Sequence, residues 1–301
     1  WNQMVDQRKP LRRETDAPRA VVKSGCYGAV VNSPVLHPLN ESFRWQESTL
    51  PPRRLDSDQA QQFSEEGFFL LERGFDADEI AQTIEEIDPF EARMEAHLRT
   101  QPDGRIYISQ ADGITFTKHL VQRSEFLREL SHSPVILDLC HDLVGPDVRL
   151  YWDQAVYKKP GQPEEFPFHQ DNSYTFIEPQ QYLTCWIALT DTDENNGCPW
   201  VLPGMHRRGT LAHEVTPHGW RCLLPSEDAV PVRARAGDIV VFSSLTPHRT
   251  GPNLTDSERK SYILQYAPDG AVLRTSNGEG DVAQNDPDRQ YLVLRDGRAS
   301  L

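Results

Sequence analysis

The chain has 301 residues, 38% of them hydrophobic, with a net charge of −14 and a sequence pI near 5.1. That length can bury a sizeable core in one large domain or two small ones. The acidic balance excludes a basic nucleic-acid footprint and disfavours anionic membranes, and no apolar run approaches the roughly 20 residues of a spanning helix.

Five cysteines, Cys26, Cys140, Cys185, Cys198 and Cys222, are scattered, odd in number and without a Cys-x-x-Cys pair. They predict reduced thiols in a cytoplasmic protein, with Cys140 and Cys185 in the core. The stretch from Trp1 is charged and contains proline, unlike the apolar run of a signal peptide. Residues 1–56 are rich in Arg, Pro and Ser and lack sustained periodicity. They predict an N-terminal arm that wraps the domain or is partly mobile.

Asp56-Ser57-Asp58 opens a helix that Gly67 stops, and Phe68–Leu71 reads as a short buried strand. Asp76 or Asp78 caps the next helix, whose Ile80, Ile84 and Ile87 recur at helical spacing. Pro89 is expected to end or kink it, leaving Phe90–His97 as a separate piece. Ile106–Ile108 and Ile114–Thr117 read as short strands, and Ser124–Leu143 as two helical segments broken near Ser133-Pro134. From Val148 to Ala267, short apolar runs alternate with Gly, Pro, Asn and Asp turns. The expected fold is mainly β: a jelly-roll barrel of about eight strands, or double-stranded β-helix of cupin-like form, with helices packed on one face. It would occupy residues 57–268 as a single domain. The tail, 269–301, ends in an apolar stretch, Gln290–Leu294, that docks as a strand or stays loose.

The only His-x-Asp in the chain is His169-Gln170-Asp171. In an extended segment, residues i and i+2 aim at one point, here an imidazole and a carboxylate. A third ligand must come from far along the chain. His248 is preferred because it follows the strand Ile239–Phe242 and precedes the turn Gly251-Pro252-Asn253, whereas His206 and His213 read as surface loop residues. Two histidines and a carboxylate on one side of an ion leave the other side open, the facial arrangement of non-heme Fe(II) oxygenases; the same set also suits Zn. Strand alternation puts Arg259, Ser261, Ile263 and Gln265 on one face, and an inward Arg needs an anion.

The ordered set His169-x-Asp171, His248 and Arg259 resembles the phytanoyl-CoA dioxygenase family of Fe(II)/2-oxoglutarate oxygenases. So do Trp186, Asn195–Cys198, Leu202–His206 and Asn253–Thr255. The resemblance runs over roughly residues 58–268. It implies Fe(II) on His169, Asp171 and His248, with 2-oxoglutarate as cosubstrate and O2 as oxidant. Arg259 would grip the distal carboxylate of 2-oxoglutarate, and Lys118, Thr184, Trp186 and Tyr157 would lie near the cosubstrate. Because Asp171 is present, it implies hydroxylation with release of succinate and CO2, not the halogenation of relatives that lack this carboxylate. The same iron-based oxidant could desaturate, epoxidise or cyclise, and a barrel of this kind could also bind a small molecule without catalysis. Residues 104–118, 172–181 and 205–222 would rim the pocket with Tyr107, Tyr174, Phe176 and Trp220, which suits a mid-sized organic molecule.

Overall fold

The computed structural model describes residues 34–275 and 280–300. The first 33 residues of the expected N-terminal arm, with Cys26, lie outside the described residues. From Leu36 onward the chain runs against the rest of the molecule. Leu36 bridges to Leu211, and Trp45 meets the ring of His206 edge-on at 4.4 Å. The backbone N–H groups of Arg53, Arg54 and Leu55 all donate to the Asp142 carboxylate, at 2.8, 2.9 and 3.1 Å.

Two antiparallel sheets form the body. Strands of these sheets are numbered in chain order: β1 Phe68–Leu71, β2 Ile114–Lys118, β3 Val148–Lys158, β4 Phe166–His169, β5 Leu183–Ala188, β6 Pro199–Val201, β7 Val230–Pro231, β8 Ile239–Ser243, β9 His248–Thr250, β10 Arg259–Pro268, β11 Leu292–Arg295 and β12 Arg298–Ala299. The larger sheet runs β1-β8-β5-β10-β3-β11-β12, with β2 also paired to β3; the smaller runs β7-β6-β9-β4. The tail therefore contributes β11 to the larger sheet. This is the mainly β double-stranded β-helix that the sequence pattern predicts.

Alternation divides the larger sheet into two chemical faces. Tyr262, Leu264, Cys185, Ile187, Val241 and Leu150 point outward and share a core with Ile80, Ile87, Leu127 and Ile136 of the helices. Phe116, Val156, Trp186, Ile263, Val240 and Phe242 point into the barrel, against Phe166 and Val201 of the smaller sheet. The helices thus cover one face only. Among the described residues they are α1 Ser57–Glu66, α2 Ala77–Arg99, α3 Glu125–Leu130 and α4 Pro134–Leu143.

Capping boxes start the first two helices: Asp56 with Gln59, and Asp76 with Glu79. Gly67 ends α1 at φ +85°, where a Cβ would meet His206 Nδ1 at 2.4 Å, so only glycine fits.

Two local expectations fail. Helix α2 runs through Pro89 without a break. Proline removes one N–H donor, but the helix is held on both sides of it: Ile80 and Ile87 before, Leu98 after, all buried. Asp88 and Glu91, flanking the proline, bind Lys260 at 2.7 Å and Lys159 at 2.9 Å. Ile106–Ile108 is not a strand; Arg105–Ile106 and Ser109–Gln110 pair across a tight turn in which Tyr107 adopts φ +53°.

Candidate active site

His169 ends β4 and His248 begins β9, and the two are direct cross-strand partners on the smaller sheet. The register shifts between His248 and Thr250, so that Thr250 faces Phe166 while His248 faces His169. This bulge turns Phe166 and His169 to the same face, with ring centroids 4.8 Å apart. Asp171 lies beyond the strand. Gln170 stays extended and Asp171 opens a 3-10 turn through Ser173. The carboxylate therefore converges on the histidines by a turn at the strand's end, where the sequence pattern predicted a continuous extended segment. His248 likewise begins a strand of its own on the sheet opposite β8.

One donor atom from each of His169, Asp171 and His248 lies within 4.8 Å of the others. Asp171 Oδ1 is 3.9 Å from His169 Nε2 and 3.8 Å from His248 Nε2. His169 Nδ1 sits 2.9 Å from Pro167 O, and His248 Nδ1 3.0 Å from Thr246 O. A carbonyl only accepts, so Nδ1 carries the proton in each ring and the Nε2 lone pairs face Asp171. Burial, reinforced by the neighbouring His248, holds the His169 imidazole well below its ordinary pKa and hence neutral. Thr184 Oγ1 donates to Asp171 Oδ2 at 2.6 Å, leaving Oδ1 toward the histidines.

The residues between and after these donors lock the backbone. Gln170 is fully buried; its Nε2 donates to Gly209 O at 3.0 Å and Leu245 O at 2.5 Å, and its Oε1 accepts from Leu211 N at 2.6 Å. Asn172 donates to Thr210 Oγ1 at 2.7 Å and accepts from Ile177 N at 2.9 Å.

Arg259 enters from the larger sheet. Its side chain is 0% exposed. Nη1 donates to Val156 O at 3.1 Å and Ser261 Oγ at 2.6 Å, whereas buried Nε and Nη2 have no partner among the described residues. Burial pulls its pKa down to about 10, so it is still charged at neutral pH. A buried guanidinium with two unused donors fits an oxyanion that arrives with a ligand. Its Cζ stands 5.5 Å from the Trp186 ring centroid, and Trp186 shares the inner face of β5 with Thr184. Thr184 in turn holds Asp171, so Arg259 and the donor triad are linked by contact across one wall. Two imidazoles, a carboxylate and a guanidinium with unused donors are a donor set that fits iron and a dicarboxylate cosubstrate.

Of the other candidates, Lys118 faces the barrel interior beside Gln154, with Nζ 5.9 Å from the Trp152 ring. Burial lowers its pKa to about 8. Tyr157 is a correction. It points to the helix side of β3, its ring in the outer core and its hydroxyl donating to Asp88 at 2.8 Å. It is one residue out of phase with the inner face, which Lys158 occupies instead. His206 and His213 are also corrections. His206 is 0% exposed beneath Trp45, and His213 Nε2 accepts the Gln170 backbone N–H at 3.0 Å. Burial lowers both to about 4.

Sequence reasoning missed Thr250 and the anchoring roles of Gln170, Asn172 and Ser261. Thr250 stands two residues from His248 on the same strand and has a buried hydroxyl without a partner among the described residues. The signal available was parity, since i+2 from a ligand on a strand shares its face. Around His169, Tyr174 lies at 5.6 Å and stacks on Trp220 at 5.5 Å, so the expected rim does bring these two rings together.

Fold and donor set together define a class: double-stranded β-helix oxygenases that hold a non-heme iron on two histidines and a carboxylate. The family profile for Phytanoyl-CoA dioxygenase (PhyH) matches residues 63–261, and the chain belongs to that family. It is a 2-oxoglutarate-dependent non-heme iron oxygenase, using Fe(II), 2-oxoglutarate and O2. Phytanoyl-CoA dioxygenase domain-containing protein 1 of Rattus norvegicus is 26% identical over 259 residues, covering 70% of this chain and 89% of the rat protein. Ectoine dioxygenase of Bordetella bronchiseptica is 27% identical over 239 residues, 70% of this chain and 75% of that protein. Among solved structures, a non-heme α-ketoglutarate-dependent carbocyclase from nogalamycin biosynthesis superposes with a TM-score of 0.64 at 22% identity, over 81% of this chain and all of that one. EctD from S. alaskensis, solved with 2-oxoglutarate and 5-hydroxyectoine, gives 0.59 at 20% identity, over 81% of this chain and 85% of that one. Among the described residues, no helix is long and apolar enough to cross a membrane.

Proposed function

We propose that the protein hydroxylates a small or mid-sized organic molecule, with His169, Asp171 and His248 as the iron ligands and Arg259 as the anchor for the far carboxylate of 2-oxoglutarate. The observation that carries this reading is the buried Arg259 guanidinium, whose Nε and Nη2 face no protein acceptor, linked through Trp186 and Thr184 to a triad whose Nε2 lone pairs are already aimed. When bound, the iron and its cosubstrate supply the oxidising chemistry, with succinate and CO2 as coproducts.

The chain's own residues prepare that chemistry. Pro167 O and Thr246 O fix the imidazole tautomers, and Thr184 orients the carboxylate. Ser261 Oγ and Val156 O hold Nη1 so that the guanidinium presents its other edge. Lys118 adds a second charge on the inner wall. Phe116, Phe166, Trp186 and Ile263 keep water from the interior. The stacked Tyr174 and Trp220 beside His169 support an organic substrate of moderate size. Among the described residues, the thiols Cys140, Cys185, Cys198 and Cys222 are free, which supports a reducing, cytoplasmic compartment.

The test is succinate release from 2-oxoglutarate with Fe(II) and O2, against the same assay with Zn(II) and with His248→Ala. Release that needs iron and His248 supports the reading; equal release by the variant removes His248 from the ligand set. In a substrate screen, a product gaining one oxygen marks hydroxylation, and one losing two hydrogens marks desaturation or ring closure.

A further inference from the structure

On the face of the larger sheet away from the triad, a cavity of ≈ 390 Å³ lies between the second half of α2 and the outer side of β2. Its lining is Phe90, Arg93, Met94, His97, Thr117 and Arg123. Phe90 and Met94 make an apolar wall. Both arginines lean on one ring: Arg93 Cζ is 4.5 Å and Arg123 Cζ 5.8 Å from the Phe90 centroid.

Among the described residues, neither guanidinium has a hydrogen-bond or ion-pair partner, although the chain carries a net charge of −14. Three carboxylates of α2 make contacts elsewhere. Glu86 accepts from Ser124 at 2.7 Å, Glu91 binds Thr115 at 2.8 Å and Lys159 at 2.9 Å, and Glu95 binds Arg99 at 3.1 Å. Thr117 is 1% exposed and its hydroxyl has no partner among the described residues, yet the residue lines this cavity. A buried hydroxyl left unsatisfied is unfavourable, and a ligand acceptor would relieve that. Two guanidinium groups, an imidazole and an idle hydroxyl around an apolar floor suit one chemistry: a negative head on an apolar body.

We propose that this cavity is a second small-molecule site, separate from the iron centre, that binds an oxyanion carried on an apolar chain. Arg93 and Arg123 take the head group, Thr117 donates to it, and Phe90 and Met94 cover the chain. Thr117 and Lys118 are adjacent on β2 with opposite faces, so an occupant would touch the strand that carries Lys118 to the barrel interior.

The test is calorimetric titration of the full chain, with saturating Mn(II) and 2-oxoglutarate to occupy Arg259. The probes are octanoate, octyl phosphate, octanol and inorganic phosphate. Octanoate or octyl phosphate should bind at one site, and whichever is tighter identifies the head group as carboxylate or phosphate. Binding should weaken about tenfold or more in Arg93→Ala/Arg123→Ala, and severalfold in Thr117→Val. Arg93 and Arg123 are exposed, so the double variant should melt with the wild type. Unchanged affinity in the double variant, equal binding of octanol, or no binding at millimolar probe overturns the proposal. None of these outcomes depends on turnover, so the oxygenase reading stands or falls separately.

Discussion

A guanidinium with two unsatisfied donors inside a barrel is a demand for an anion, and it sets the sharpest expectation at the scale of single residues. Arg259→Lys keeps a positive charge but loses the planar fork that meets a carboxylate with two parallel hydrogen bonds. The half-saturating 2-oxoglutarate concentration is expected to rise about tenfold or more, read from initial rates of succinate release. An unchanged value would assign the cosubstrate grip to another group. Thr184→Val preserves shape on a strand while deleting the 2.6 Å bond to Asp171. Hydrogen bonds to metal ligands of this kind are worth about 10–100-fold in metal affinity, so Fe(II) binding should weaken by that order with little change in melting temperature. Equal Fe(II) affinity would reduce Thr184 to packing. The donor triad itself was legible because its spacing and order are distinctive. Tyr157 was not, because its face depends on the phase of β3, and one residue of phase moves a side chain from the pocket to the helix layer.

Elements obey local signals until tertiary contacts outweigh them. Both capping boxes, the stop at Gly67 and the break before Pro134 follow from sequence chemistry alone. Pro89 does not, because the salt bridges of Asp88 and Glu91 and the burial of Ile87 and Leu98 come from residues far along the chain. Those contacts hold α2 continuous across a position that costs about 3 kcal/mol in an isolated helix. Pro89→Ala is therefore expected to raise the melting temperature, by an amount corresponding to about 1 kcal/mol or more. A lowered value would mean that the ring's own packing outweighs the missing N–H. The turn at Tyr107 escaped notice for a related reason: positive φ at a Tyr carries no compositional flag.

At the scale of the whole molecule, the seam between the larger sheet and its helical layer contains one ionisable group that should dominate a pH response. Asp153 points outward from β3 and catches the N–H groups of Leu120 and Val121, at 2.7 and 3.2 Å, and the hydroxyl of Tyr262 at 3.1 Å. All three fall on Oδ2; Oδ1 is buried without a partner among the described residues. Burial raises its pKa to about 6, against an ordinary value of 3.8, and the two backbone N–H groups offset only part of that. The folded state thus holds this proton more tightly than the unfolded state does. Its contribution to stability is complete below about pH 4 and is lost as the pH rises through about 6, for a total of about 3 kcal/mol. Asp269 acts in the opposite sense, because Arg149 and Arg295 stabilise its charged form. The wild-type profile alone would mix these slopes. Denaturant unfolding of wild type and Asp153→Asn at matched pH values isolates the term. Asn keeps an acceptor for Leu120 and Val121 but carries no charge, so the variant should gain on the wild type steadily between about pH 4 and 6 and hold that gain above it. A difference that does not vary with pH would show that Asp153 ionises at an ordinary value, and that water or a shift of the Leu120–Gln122 turn satisfies Oδ1.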